Sequence, residues 1–168
     1  MIIFDFDLTL VDTQPVATLR DNLDWDAVMR QVPKLEVYDG INNLLKELHD
    51  DGQTLAIVTK SPNMIPKAFV KLYKWPIEIV LGSHQVGRGK LKPHPDGLLK
   101  AMSAGNATAE NTFHVGDKPE DTEAARAAGV TAIGAGWGNV DVASLEASNP
   151  DYLFKTVAEL QEFFLKSP

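Results

Sequence analysis

Residues 3–12 read IFDFDLTLVD, an apolar run that breaks into two aspartates and a threonine, Asp5, Asp7 and Thr9. A fold built on this strand has to deal with acidic groups at its end. Strand side chains alternate with period two, so Asp5 and Asp7 are expected to leave one edge, close enough to share a metal ion. Carboxylates at that spacing repel unless a cation lies between them or one holds a proton. A second reading needs no chemistry: a half-exposed strand with Phe4, Phe6, Leu8 and Leu10 inside and Asp5, Asp7 and Thr9 outside. Both readings stand on this segment alone.

Further along, short apolar runs alternate with segments of helical period, the pattern of a parallel sheet covered by helices on both faces. Strands are expected at residues 2–6, 55–58, 77–81, 112–115 and 130–135, with a short addition at 152–154. Ile41, Leu44, Leu45 and Leu48 follow the i, i+3, i+4, i+7 rule, with Asp39 as N-cap and Gly52 as the stop. Pro66 suits the first turn of a helix running to Tyr73, and Gly129 closes a helix over 119–128. Thr156 and Glu159 have the spacing of a capping box. Residues 13–38, between the first strand and the first regular helix, form an insert with room for two short helices. One would carry Val16, Leu19 and Leu23; the other, starting near Asp24, would carry Val28, Met29 and Val32 and end at Pro33.

The 168 residues suit a single domain that buries about 70% of its unfolded surface. A net charge of −7 and the lack of any basic run argue against a nucleic-acid or anionic-membrane partner. With no cysteine there is no disulfide and no thiolate metal site. No stretch nears the ~20 apolar residues of a membrane helix, so a cytoplasmic protein is expected.

In open parallel sheets, ligands bind beyond the carboxyl ends of the strands. Three strands here end there in polar residues: Asp5 and Asp7, then Thr59, then Gly116-Asp117. A Gly-Asp turn directly off a buried strand aims Asp117 at that edge. Asp121, in the first turn of the next helix, is equally explained by the helix dipole. Thr59 can donate to a phosphate oxygen or simply cap the following turn. Lys92 precedes Pro93, which keeps it out of helical conformation and presents it rigidly, while Arg88 and Lys90 read as solvated loop. Carboxylates without histidine or cysteine neighbours suit a hard cation, and few protein ligands with open positions suit Mg2+. None of the four histidines has ligand spacing with another, and His114 is expected to pack in or beside the fourth strand.

The order Asp5-x-Asp7-x-Thr9, Thr59 after Leu-Ala-Ile-Val, Lys92-Pro93-x-Pro95 and Gly116-Asp117-x-x-x-Asp121 resembles the haloacid dehalogenase superfamily of aspartate-nucleophile phosphohydrolases. Gly134-Ala-Gly-Trp-Gly138 and Pro150-Asp-Tyr-Leu add a likeness to its phosphoglycolate-phosphatase-like members. The resemblance implies a Rossmann-like α/β fold in one domain, 1–168, and a Mg2+-dependent phosphatase acting on phosphate monoesters. Asp5 would be the nucleophile that forms an aspartyl-phosphate. Asp7 would be the general acid and base and would lend its backbone carbonyl to the metal. Thr59 and Lys92 would hold the phosphate, and Asp117 would ligate the metal with Asp121 in support.

Two departures matter. Leu8 stands where many relatives have glycine, and residues 13–38 are much shorter than the usual helical cap. With this reduced cap, either a large phosphoester excludes water itself or a neighbouring subunit of a homo-oligomer completes the lid over a small metabolite. The rival from another class is a receiver-like phosphoacceptor signalling domain, also doubly wound, that would stall after one phosphoryl group.

Overall fold

The computed structural model describes residues 1–138 and 141–165; positions 139–140 and 166–168 of the expected 1–168 unit lie outside the described residues. Six strands, β1 (Ile2–Phe4), β2 (Leu55–Val58), β3 (Ile79–Leu81), β4 (Phe113–Gly116), β5 (Thr131–Ala135) and β6 (Tyr152–Phe154), form one sheet in the order β3-β2-β1-β4-β5-β6. Every neighbouring pair is parallel. Ile2 is in register with Leu55 on one side and with Phe113 on the other. The strand order therefore reverses direction at β1, the switch point where open α/β sheets leave a crevice for ligand.

The pleat sorts the apolar residues onto two faces. Ile2 and Phe4 of β1 and Leu55 and Ile57 of β2 pack with Ile41, Leu44, Leu45 and Leu48 of α3 (Ile41–Asp50). Phe69 of α4 (Met64–Tyr73) and Leu160 of α9 (Val157–Leu165) join the same core. Ile3, Ala56 and Val58 face the other way, against Leu98, Ala101 and Met102 of α6 (Asp96–Ala104) and three alanines of α7 (Pro119–Ala128). Buried on both sides, the central strands read as continuous apolar runs rather than alternating ones. Among the described residues no helix is long and apolar enough to cross a membrane.

The insert folds as two short helices, α1 (Ala17–Asp21) and α2 (Trp25–Gln31). Asp24 caps α2 by accepting from the Ala27 N–H at 3.0 Å, as its side chain and position lead one to expect. The Thr156–Glu159 capping box is present, with both reciprocal bonds at 3.2 Å. Some expectations shift. Gly40, at φ +86°, rather than Asp39, is the N-cap of α3, because the chain enters that helix through a left-handed residue that glycine adopts without strain. β1 stops two residues before the expected end, and β3 starts two later.

Three helices were not read from the sequence: α5 (Ser83–Val86), α6 and α8 (Val142–Ala147). α6 hides behind Pro95 and Gly97, which punctuate a sequence as loop. Gly97 has a packing reason to be there, since a Cβ would sit 2.6 Å from Val58 Cγ1 of β2.

Gly116 ends β4 with the Asp121 side chain lying over it, so that a Cβ would come 2.2 Å from Asp121 Cγ and 2.5 Å from its Cβ. Overpacked sites of this kind cost about 1–3 kcal/mol. The Gly116→Ala variant is expected to lose stability in that range, read as a lower denaturation midpoint at unchanged m-value. An unshifted midpoint would show that Asp121 has room to move.

Candidate active site

Asp5 is the first residue beyond β1, and its N–H donates to the Val115 carbonyl of β4 at 2.8 Å. The chain then leaves the sheet. The Phe6 carbonyl accepts from the N–H groups of Leu10 and Val11 at 3.0 and 3.3 Å, and Leu8 adopts φ +59°. The pleat argument for Asp5 and Asp7 therefore fails: a tight turn places them, and their carboxylates point to different neighbours. The positive φ at Leu8 also accounts for glycine at this place in relatives, because a side chain there costs about 1–2 kcal/mol. The Gly136-Trp137-Gly138 stretch packs over this turn. Trp137 Nε1 donates to the Thr9 carbonyl at 3.0 Å, and a Cβ on Gly138 would fall 1.8 Å from the Leu8 carbonyl oxygen.

Asp5 faces Lys92. Lys92 Nζ lies 2.8 Å from Asp5 Oδ1 and 2.5 Å from Asp121 Oδ1, with the lysine only 5% exposed. Asp121 is further engaged: His114 Nε2 lies 3.1 Å from Oδ1, and the Lys118 main-chain N–H donates to Oδ2 at 3.0 Å. His114 sits in β4 as expected, its Nδ1 3.1 Å from the Ile3 carbonyl. Asp117 is wholly buried. Carboxylate oxygens of Asp5, Asp117 and Asp121 all lie within 4.8 Å of one another.

Three buried carboxylates around one lysine leave an excess of negative charge, and protonation shows it. Burial pushes Asp5 up to about 6, against the pull of Lys92. Burial, then the charges of Asp5 and Asp121, push Asp117 up to about 8. For Asp121 burial works upward, but Lys92 and His114 outweigh it and hold the carboxyl well below its usual range. Burial would lower Lys92, yet Asp121 and Asp5 hold it above its ordinary value. This oxygen-rich, over-charged cluster fits a hard divalent cation such as Mg2+.

The Asp7 carboxylate lies outside that group. Its Oδ2 takes hydrogen bonds from Ser61 Oγ at 2.8 Å and Thr59 Oγ1 at 3.1 Å, and the Arg20 guanidinium stands 2.9 Å away. Asp7 Oδ1 has no hydrogen-bond partner among the described residues. The Thr59 hydroxyl also accepts from the Ser61 N–H at 3.1 Å, which sets its orientation. Arg20, from α1, donates to Thr13 Oγ1 at 3.0 Å as well, so the insert reaches into the site. A cavity of about 430 Å³ is lined by Leu8, Trp25, Arg20 and Ser61 among others, the last two being partners of Asp7.

Thus Asp5, Lys92, Asp117 and Asp121 gather at one point, and Asp7 and Thr59 at the next. Sequence reasoning missed Ser61, Arg20 and the contact of His114 with Asp121. Ser61 had a signal, two residues beyond Thr59 at the same strand end. Arg20 had none, since it arrives from a helix of the insert.

Comparison with known proteins places the chain in a family. A sequence model of the haloacid dehalogenase-like hydrolase family matches residues 19–135. The "Probable phosphatase IndB" of Dickeya dadantii is 35% identical over 138 residues, 80% of this chain and 58% of its own length. The pyrophosphatase PpaX of Bacillus mycoides is 30% identical over 128 residues, 75% of this chain and 59% of its own. This chain therefore spans under three fifths of the length of the curated relatives it matches. The crystal structure of a hydrolase from Pseudomonas syringae superposes with a TM-score of 0.83 at 21% identity, over 98% of this chain and 97% of that one, and so shares the fold. The chain belongs to the haloacid dehalogenase-like hydrolase family.

Proposed function

We propose that this chain is a Mg2+-dependent phosphatase that hydrolyses phosphate monoesters through a covalent phosphate on Asp5. The observation that carries the reading is the buried placement of Asp5 against Lys92, with oxygens of Asp117 and Asp121 within 4.8 Å. Relatives named as phosphatase and pyrophosphatase support it. Asp5, Asp117 and the Asp7 backbone carbonyl would hold the metal, with Asp121 in support. When bound, the ion supplies positive charge to the phosphoryl oxygens.

The protein's own groups do the rest. A carboxylate oxygen of Asp5 attacks phosphorus, the ester P–O bond breaks, and Asp7 gives the leaving oxygen a proton. Water then attacks the aspartyl-phosphate, its proton passes to Asp7, and inorganic phosphate departs from Asp5. Lys92 and Thr59 hold the phosphoryl oxygens. Arg20, Thr59 and Ser61 crowd Oδ2 of Asp7, which leaves Oδ1 to carry the proton. Residues 13–38 act as the reduced cap of one catalytic unit, and substrate or a second subunit closes the rest. With the proposed nucleophile directly after β1, at the switch point, nothing favours the receiver-like reading.

Two measurements test this. Asp5→Asn should lower phosphate release from p-nitrophenyl phosphate in Mg2+ by about 10³-fold or more; wild-type turnover in that variant would remove the mechanism. The second is thermal. An unfolded chain releases aspartate protons near pH 4, whereas the native one holds them to about 6 on Asp5 and about 8 on Asp117. The native state binds more protons across that window, so its stability falls as pH rises from about 4 to about 8. In EDTA the melting temperature should drop over this range, with a shallower slope in Asp117→Asn. Added Mg2+ should raise it more at pH 8 than at pH 5.5. A melting temperature that climbs with pH in EDTA would contradict the charge excess.

A further inference from the structure

The turn that carries Asp7 holds a leucine in a conformation suited to glycine. Leu8 is buried at φ +59°, where an L side chain crowds the following carbonyl. Leu23, Lys74, Asn106 and Asn149 also have positive φ, and none of them is next in sequence to a proposed catalytic residue. Such strain persists only where the surrounding structure over-determines the backbone. A change in φ at Leu8 turns Asp7 relative to the rest of the loop. The dihedral therefore sets where the Asp7 carboxylate meets Thr59, Ser61 and Arg20.

The restraint comes from the segment after β5. Trp137 Nε1 donates to the Thr9 carbonyl at 3.0 Å, and an indole has no second donor to give. Gly138 approaches so closely that a Cβ would fall 1.8 Å from the Leu8 carbonyl oxygen and 3.0 Å from Tyr38 Cζ. Trp137 and Gly138 thus meet the two peptide groups that follow Leu8. Tyr38 braces them from the end of the insert: its hydroxyl donates to the Gly138 carbonyl at 3.4 Å, and its N–H donates to the Leu10 carbonyl at 3.1 Å. The segment is anchored in turn, with the Gly136 N–H donating to the Phe154 carbonyl of β6 at 2.8 Å.

Resting on the phosphatase reading, we propose that Trp137 is a positioning residue for Asp7: with Gly138, it clamps the left-handed Leu8 turn from the end of β5. Trp137 touches no reacting atom and acts through the backbone of Leu8 and Thr9. The clamp is needed because residue 8 is leucine; glycine holds the same φ without strain.

A double-variant cycle over Leu8→Gly and Trp137→Phe tests this, since Trp137→Phe keeps an aromatic ring and removes the donor. In the wild-type background, Trp137→Phe is expected to lower kcat for p-nitrophenyl phosphate in Mg2+ about tenfold with KM little changed, because Asp7 acts in the chemical step. That factor lies within the about 5- to 30-fold bias against a left-handed side chain. In the Leu8→Gly background the same change should cost about threefold or less. Comparing factors within each background cancels the loss of the leucine side chain. A merely structural tryptophan would lower the melting temperature and give equal factors in both backgrounds. Amide hydrogen exchange reads the clamp without turnover: Leu10 and Val11, whose N–H groups close the turn on the Phe6 carbonyl, should exchange about fivefold faster or more in Trp137→Phe. The increase should be smaller in the Leu8→Gly background, with the β2 amides unchanged in every variant. Equal kcat losses in the two backgrounds, or unchanged exchange at Leu10 and Val11 in Trp137→Phe, overturns the inference while the phosphatase reading survives. If the wild type releases no phosphate, the phosphatase reading fails and takes this role at Asp7 with it.

Discussion

The ammonium group of Lys92 is the charge on which the site depends. It is almost fully buried between Asp5 and Asp121, and each of those carboxylates would be costly to bury alone. This contact holds together the loop that carries Lys92, the end of β1 that carries Asp5 and the first turn of α7 that carries Asp121. Remaining members of the cluster build on it. His114 and the Lys118 N–H hold Asp121, Asp121 packs against Gly116, and Asp117 is left buried among like charges that raise its proton affinity.

The sheet explains why these groups meet. β1 lies in the middle, with β2 and β4 on either side, so residues just past Phe4, Val58 and Gly116 end up next to one another although more than fifty residues separate each in the chain. Helices on both faces bury the strands, and the proposed site residues collect at the carboxyl edge. α7 approaches β4 closely because its inward positions are Ala124, Ala125 and Ala128, and this approach carries Asp121 over Gly116. The insert adds what the sheet lacks: a guanidinium at Asp7 and an aromatic wall beside it.

Much of this was legible from residue order. Continuous apolar runs marked β2 and β6 to the residue, and Pro119 and Gly129 marked both ends of α7. Of the six proposed acidic, hydroxyl and lysine positions, five could be singled out in the sequence because they lie at or just beyond a strand end or on the loop before α6, and Asp121 because it follows Asp117 into the first turn of α7. The missed features share a cause. α6 and α8 have short apolar stripes and carry Gly97 or small residues, so their helicity comes from packing and not from local preference. Arg20 and the tight turn through Leu8 depend on contacts between distant parts of the chain, which no local spacing encodes. Asp5 and Asp7 illustrate the limit well: their proximity was evident, but the division of their carboxylates between two clusters was set by a backbone dihedral.

The parallel topology carries a consequence for biogenesis. β1 forms no ladder with a strand near it in sequence; Ile2 pairs with Leu55 and with Phe113. Closing such long loops is slow, and parallel pairing waits for downstream chain. During synthesis, β1 keeps both edges unpaired until β2 has left the ribosome, and its other edge stays open until β4 follows, since vectorial growth delivers the partner strands in the order β2, then β4. The acids of IFDFDLTLVD then acquire a second use. Charge beside an exposed apolar strand is a known guard against aggregation, and Asp5, Asp7 and Asp12 stand where such gatekeepers are needed.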